Sequence, residues 1–154
     1  MSDSPKSGKK KNLTAMRRSA RSFALQALYS WHMAGQPLTE LDAQFRVEYD
    51  MRDTDMQLFS ELLHGVAARK SELDGEFSGF IDRSLDELDP IELTVLRIGT
   101  FELMQRIQVP YRVAINESVE LSKKFGATDS HRYVNGVLDK VAQHVRQAEV
   151  KAKR

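Results

Sequence analysis

The sequence contains no cysteine among its 154 residues. Disulfide bonds and thiolate metal sites are therefore excluded, and the reducing cytoplasm is the expected location. No apolar run approaches the roughly 18 residues of a transmembrane helix. The basic start of the chain is not followed by the apolar core of a secretory signal. We therefore expect a protein that does not associate with a membrane.

Motifs for catalysis and metal binding are also lacking. The sequence has no glycine-rich phosphate loop and no Gly-x-Ser-x-Gly. Paired carboxylates occur only where they suit helix caps or a solvated surface. The histidines show no metal-ligand spacing: His32, His64, His131 and His144. These absences predict a binding protein rather than an enzyme, with no metal and no cofactor.

The residues that are present favour an all-α fold. Apolar content of 41% and charged content of 29% are typical of a folded globular chain. Apolar side chains recur at helical spacing, and strand-type alternation is absent. We predict a disordered basic arm over residues 1–13, one helical domain over 14–146 and a basic frayed tail over 147–154. The domain is expected to contain sub-bundles of about 14–83 and 84–146.

A strong helix start marks the centre of the second sub-bundle. Asp89 suits the N-cap, Pro90 suits the first helical position, and Glu92 three residues after Asp89 completes a capping-box pattern. The helix that follows is apolar on two faces, which predicts a buried central element. Glu102 lies on one apolar face and needs a partner, either inside the chain, such as Arg106 or a hydroxyl, or outside it.

Charge is segregated along the chain. Residues 1–32 have a net charge of +6, residues 33–108 of −9 and residues 109–154 of +4. Two basic ends around an acidic middle predict surfaces of opposite sign, one for a polyanion and one for a basic partner. An uneven but merely solvated surface is the alternative.

The first predicted helix has a basic edge. Arg17, Arg18 and Arg21 lie in its first turns, where cations oppose the helix dipole, and Tyr29 follows along the same edge. Such an unfavourable local choice indicates a ligand for the cations. Arginine stems that cover the core are the competing interpretation.

The turn over residues 125–136 combines several features that suit RNA. Gly126 is expected to end one helix with a positive φ, and the N-terminus of the next helix favours phosphate. Arg132 and Tyr133 offer a charge beside a flat ring. An ordinary helix–turn–helix corner is the alternative. The N-cap candidates are Thr128, Asp129 and Ser130.

Three segments together resemble the NusB family of transcription antitermination factors. The first contains Arg17-Arg18-Ser-Ala-Arg21 and runs to Tyr29. The second is Leu96-Arg97-Ile98-Gly99-Thr100-Phe101-Glu102-Leu103. The third begins Val109-Pro110-Tyr111 and continues through Phe125-Gly126 to Lys140. The resemblance covers about residues 14–146.

This resemblance implies two helical bundles set roughly at right angles. It implies binding to the boxA element of ribosomal RNA transcripts together with NusE, a small-subunit ribosomal protein. It also implies assembly with RNA polymerase and other Nus factors. The RNA-binding residues implied by the match, with the neighbouring cation Lys124, are Arg17, Arg18, Arg21, Gln26, Tyr29, Lys124, Phe125, Asp129, Ser130, Arg132 and Tyr133.

The resemblance also implies a partner surface. Glu92, Arg97 and Glu102 fall in the region that meets NusE in the family. Ser19 stands where the arginine run is often longer, and the lysines of the basic arm could compensate. Asp129 could accept a hydrogen bond from a base amino group or only cap its helix. Residues 17–29 and 125–133 are expected to form two halves of one RNA site.

Two other functions fit the same pattern. One is a helical adaptor that binds only protein. The other is an RNA-recognition domain related to those of ribosomal RNA cytosine methyltransferases, although no methyltransferase domain follows here. Self-association through the edge of Arg18, Arg21 and Tyr29, giving a homodimer, is a further expectation.

Overall fold

The computed structural model describes residues 3–152, with side chains described from residue 13. All regular elements in this range are helical, which confirms the predicted all-α class. The helices are α1 (Asp3–Ala34), α2 (Leu38–Glu48), α3 (Met56–Ala68), α4 (Lys70–Phe77), α5 (Pro90–Gln105), α6 (Tyr111–Phe125), α7 (Ser130–Val145) and α8 (Gln147–Ala152), with short 3₁₀ helices at Ser78–Phe80 and Leu85–Glu87.

The disordered basic arm predicted over residues 1–13 lies, except for its last residue, outside the residues with described side chains. Its backbone from residue 3 is nevertheless helical, as the first part of α1, where the sequence predicts disorder. Within residues 3–152, no helix combines the length and the apolar character needed to cross a membrane.

The chain divides into two compact units, residues 1–64 and 65–154. The largely aliphatic core of the first unit contains an aromatic cluster. The Phe45 ring meets Phe23 edge-on at 6.3 Å between centroids and lies 6.2 Å from Phe59. Gly35 ends α1 in the left-handed conformation, with φ +69°, and its N–H donates to the Trp31 carbonyl.

Helix α5 is the core of the second unit, as its two-sided apolar pattern predicts. Every residue from Leu93 to Leu103 is buried, and α4, α6 and α7 all pack on this helix. The predicted N-cap is also confirmed, because the Asp89 carboxylate accepts from the N–H groups of Ile91 and Glu92. α5 ends at Gln105, and α6 packs against it after a five-residue loop.

The division between the units lies inside α3, earlier than the predicted boundary near residue 83. The reason is that α4 packs on α5 through a buried ion pair. The Asp74 carboxylate accepts from Arg97 Nε at 2.8 Å and from Nη2 at 2.9 Å. Apolar spacing alone does not reveal this pair, since both charged residues look like surface positions in the sequence.

The tail predicted to be frayed over residues 147–154 is instead helical over Gln147–Ala152. Val150 is buried, and Glu149 Oε2 accepts from the Tyr111 N–H at 2.9 Å. Arg146, just before α8, donates to the carbonyls of Leu103 and Val109 at 2.7 and 3.0 Å. These contacts order the segment because they satisfy backbone groups at the end of α5 and the start of α6.

Candidate nucleic-acid interface

The turn between α6 and α7 needs Gly126 for close packing rather than for a positive φ. The predicted positive φ is wrong, because Gly126 has φ −91° and ψ 177°. A Cβ atom at this position would stand 2.8 Å from the Ser122 carbonyl oxygen and 3.2 Å from the Ser130 side chain. A larger residue would therefore push the first turn of α7 away from the last turn of α6.

Ser130 and Glu92 are paired with each other. Ser130 Oγ donates to Glu92 Oε2 at 2.8 Å, and the Ser130 residue is only 6% exposed. The Glu92 carboxylate therefore binds Ser130 instead of completing the predicted capping box at Asp89. Ser130 lies within the turn, but its hydroxyl fixes α7 to the start of α5 instead of facing solvent.

Asp129 is the N-cap residue of α7 by position, but its side chain accepts no capping hydrogen bond from the described backbone. The residue is exposed. Of the two predicted roles, helix capping is therefore not the one that this geometry supports. An exposed carboxylate here opposes the attraction of phosphate to the helix N-terminus.

Cations and rings flank this carboxylate. Lys124 Nζ lies 5.2 Å from the centroid of the half-buried Phe125 ring. Arg132 is exposed on the first turn of α7. A positive charge and a flat ring are thus paired here in Lys124 and Phe125, whereas the predicted pairing of Arg132 with the Tyr133 ring stays a prediction.

Tyr133 belongs to a cluster that the sequence does not reveal. Its hydroxyl donates to Asp82 Oδ1 at 3.1 Å, and Arg83 Nε donates to the same oxygen at 2.7 Å. The Arg83 guanidinium carbon lies 4.7 Å from the centroid of the Tyr133 ring. Arg83 is fifty residues from Tyr133 along the chain, so no local pattern links them.

The protonation states of this cluster follow from its contacts. The hydrogen bonds from Arg83 and then Tyr133 lower the pKa of Asp82. Burial is the largest cause that raises the pKa of Tyr133; the hydrogen bond from the Asp82 N–H lowers it, and the hydrogen bond to the Asp82 carboxylate raises it. At neutral pH the carboxylate is therefore charged and the phenol is protonated, which is the arrangement that the hydroxyl-to-carboxylate hydrogen bond requires.

In the first unit, the predicted basic edge of α1 is partly exposed and partly buried. Arg17 is exposed, and its Nε lies 4.0 Å from Asp55 Oδ2, a long ion pair. Arg18 is also exposed. Arg21, in contrast, is only 4% exposed. Arg21 therefore does not belong to the exposed edge that was expected, because its position on α1 faces the interior.

The remaining predicted residues of α1 are half-buried. Gln26 Nε2 donates to the Ser22 carbonyl at 3.2 Å, so its amide nitrogen is engaged within the helix. Tyr29 is partly accessible. Among the predicted residues of this unit, Arg17 and Arg18 are the most accessible.

Two residues predicted to meet NusE lie in the interior. Arg97 forms the buried pair with Asp74, and Glu102 has no exposed surface. Arg106 Nε lies 3.6 Å from Glu102 Oε1, so the internal interpretation of Glu102 is confirmed. Direct contact with a partner is not compatible with these positions, since each side chain is enclosed by its own unit.

Comparison with known proteins decides the family. The model of the NusB family matches residues 18–143. The chain belongs to the NusB family. The match includes Arg18, Arg21 and Tyr29 of the basic edge of α1, the whole of α5 and the turn over residues 125–136.

Relatives with the family name are similar over nearly the whole chain. The transcription antitermination protein NusB of Pseudomonas savastanoi pv. phaseolicola is 56% identical over 149 residues, which cover 97% of this chain and 89% of that protein. NusB of Hahella chejuensis is 53% identical over 136 residues, covering 88% and 91%. The resemblance predicted from three segments is thus confirmed.

Solved structures share the fold. A structure of T. maritima NusB has a TM-score of 0.76 and 26% identity, covering 88% of this chain and 96% of that one. A crystal structure of antitermination factors NusB and NusE in complex with dsRNA has a TM-score of 0.70 at 22% identity, covering 84% and 98%. At that identity the second likeness shows the fold alone.

Proposed function

We propose that this chain is a transcription antitermination factor that binds the boxA element of ribosomal RNA transcripts together with NusE. Family membership over residues 18–143 is the observation that carries the proposal. The relatives of more than 50% identity are named transcription antitermination proteins. We propose that the chain acts by binding rather than by catalysis, within a complex of RNA polymerase and other Nus factors in the cytoplasm.

Exposed cations and rings supply the RNA contacts in this proposal. Arg17 and Arg18 neutralise phosphates from the first unit, and Lys124 and Arg132 do so from the second. Each phosphate contact adds about 0.7 to the slope of log K against log salt for single-stranded RNA. Half-buried rings offer faces on which bases stack. The proposed stacking residues are Tyr29, Phe125 and Tyr133.

Three of the predicted RNA-binding residues have supporting roles in this proposal. Arg21 and Ser130 are buried, and Gln26 is bonded to its own helix. These residues hold the exposed side chains in place and do not contact RNA themselves. Asp129 is exposed and reduces affinity through repulsion of phosphate.

The proposed surface for NusE is the acidic segment over residues 86–92. Asp86 and Asp89 are exposed there, and Glu92 is half-buried. A basic ribosomal protein complements such carboxylates. Arg97 contributes indirectly, because its ion pair with Asp74 holds α4 on α5. Glu102 contributes indirectly through its ion pair with Arg106 at the end of α5.

A titration tests the proposal. Fluorescein-labelled boxA RNA and a scrambled RNA of equal composition are titrated with the chain, with and without NusE, and anisotropy is measured. We expect tighter binding to boxA and a larger preference when NusE is present. Equal weak binding to both RNAs in both conditions would contradict the proposal. Binding of NusE without any preference for boxA would favour the protein-binding adaptor instead.

A further inference from the structure

We propose that Arg83 is the outer layer of a stacking platform for an RNA base, with Tyr133 as the inner layer. The inference rests on the proposed RNA-binding function. It adds to the site a residue from the loop between the two 3₁₀ helices, outside the turn over residues 125–136.

Geometry supports this assignment first. The Arg83 guanidinium carbon lies 4.7 Å from the centroid of the Tyr133 ring, so the arginine covers one face of the ring. A base cannot occupy that face while Arg83 remains there. The Arg83 side chain is itself 39% exposed. A planar guanidinium stacks on bases as an aromatic ring does, so it can extend the stack outward.

The cluster is also held in place before RNA arrives. Asp82 accepts from Arg83 through both carboxylate oxygens, at 2.7 and 3.3 Å. The same carboxylate accepts from the Tyr133 hydroxyl. One anion thus fixes both layers of the platform, which lowers the entropy cost of ordering two side chains on binding.

Charge gives a second, independent argument. Arg83 is the only lysine or arginine between residues 71 and 96, a stretch with eight acidic residues. It is therefore the one basic side chain that this stretch can present to a phosphate. A base stacked on Arg83 brings its own phosphates close to that charge, whereas the surrounding carboxylates repel them.

Two substitutions distinguish the contribution of the planar guanidinium of Arg83 from the contribution of its charge. Arg83→Lys keeps the charge and removes the planar group, and Arg83→Gln removes both. Arg52 provides matched controls, because it forms a similar exposed pair with Asp50, with Nη2 2.7 Å from Oδ2. The four variants and the parent chain are titrated with labelled boxA RNA at several salt concentrations.

We expect Arg83→Lys to weaken boxA binding roughly five-fold or more, with the salt slope unchanged, because a stacked layer is lost. Arg83→Gln should weaken binding further and lower the slope by about 0.7. Arg52→Lys and Arg52→Gln should change neither quantity. Thermal melting by circular dichroism should show that all four variants fold as the parent does.

A spectroscopic signal tests the stack itself. Each adenine of the boxA RNA is replaced in turn by 2-aminopurine, whose fluorescence is quenched when it stacks. We expect one position to be quenched by the parent chain and by both Arg52 variants, and to be less quenched by Arg83→Lys.

The failures of the two proposals differ. If the parent prefers boxA to scrambled RNA and Arg83→Lys binds as tightly as the parent, the platform is refuted while the RNA function stands. If Arg83→Gln behaves as Arg52→Gln does, Arg83 makes no contact with RNA at all. If the parent itself shows no preference for boxA, the proposed function fails, and the platform fails with it.

Discussion

Asp74 and Arg97 show what one buried pair does for stability. Their side chains are 12% and 5% exposed, and two hydrogen bonds join them. We expect Asp74→Asn to lower the free energy of unfolding by about 3–5 kcal/mol, because it removes the carboxylate charge that these two hydrogen bonds hold against the buried Arg97 guanidinium. Urea denaturation measures the change.

The matched control is Asp50→Asn, which breaks a pair with side chains 61% and 87% exposed. We expect no measurable change there, because water screens exposed pairs. Equal stability of the two variants would show that the Asp74–Arg97 pair does not hold α4 on α5.

Asp129 is the residue whose role the structure narrows most. Because its carboxylate makes no capping bond to the described backbone, we expect Asp129→Asn to leave the unfolding midpoint unchanged. Loss of a negative charge beside phosphates should raise boxA affinity about two- to five-fold at low salt and less at high salt. Anisotropy titrations at two salt concentrations measure this effect. A fall in affinity would instead show that the carboxylate accepts a hydrogen bond from a base.

At the scale of the element, α5 packs against its neighbours through a glycine. A Cβ atom at Gly99 would stand 2.6 Å from Leu138 Cδ1 and 2.7 Å from Ser118 Oγ, so α6 and α7 both approach this point. We expect Gly99→Ala to cost about 1–3 kcal/mol of unfolding free energy through overpacking. Chemical denaturation of this variant and of the Gly136→Ala control provides the measurement.

Gly136 in α7 is the control, because a Cβ atom there would meet no atom within 4 Å. Alanine at this position should stabilise the chain by roughly 0.5–1 kcal/mol through helix propensity. If both alanine variants gained stability, the close approach of α6 and α7 to α5 at Gly99 would be wrong.

Features that depend on neighbouring residues could be predicted from the sequence, and features that depend on distant residues could not. The buried character of α5, the Asp89 N-cap and the Gly35 break follow from spacing and capping rules, which act over a few residues. The role of Ser130 could not be predicted, because it depends on Glu92 across a packed interface. The role of Gly126 depends on how closely Ser130 approaches the end of α6, which sequence spacing does not give. Arg21 looked like part of an exposed edge, since sequence spacing does not fix how far the buried face of a helix extends.

At the scale of the whole molecule, RNA binding should depend on cations of both units. We expect Arg18→Gln in the first unit and Arg132→Gln in the second each to lower the salt slope of boxA binding by about 0.7, and the double variant to lower it by about 1.4. Anisotropy titrations over a range of salt concentrations give these slopes.

Arg69→Gln is a suitable control, because Arg69 is an exposed arginine paired with Glu72 at 3.0 Å and lies outside both predicted RNA segments. Its slope should match that of the parent. An unchanged slope in Arg18→Gln alone would assign RNA binding to the second unit and refute the prediction that both segments are needed.

The contacts of Arg146 also impose an order on synthesis. Its Nη2 donates to the carbonyl of Arg106, forty residues earlier, and its Nε donates to that of Leu103. While a ribosome extends the chain through this interval, the carboxyl end of α5 lacks its native donor. The second unit therefore reaches its native packing only after Arg146 has been translated, whereas the contacts within residues 1–64 can all form before that point.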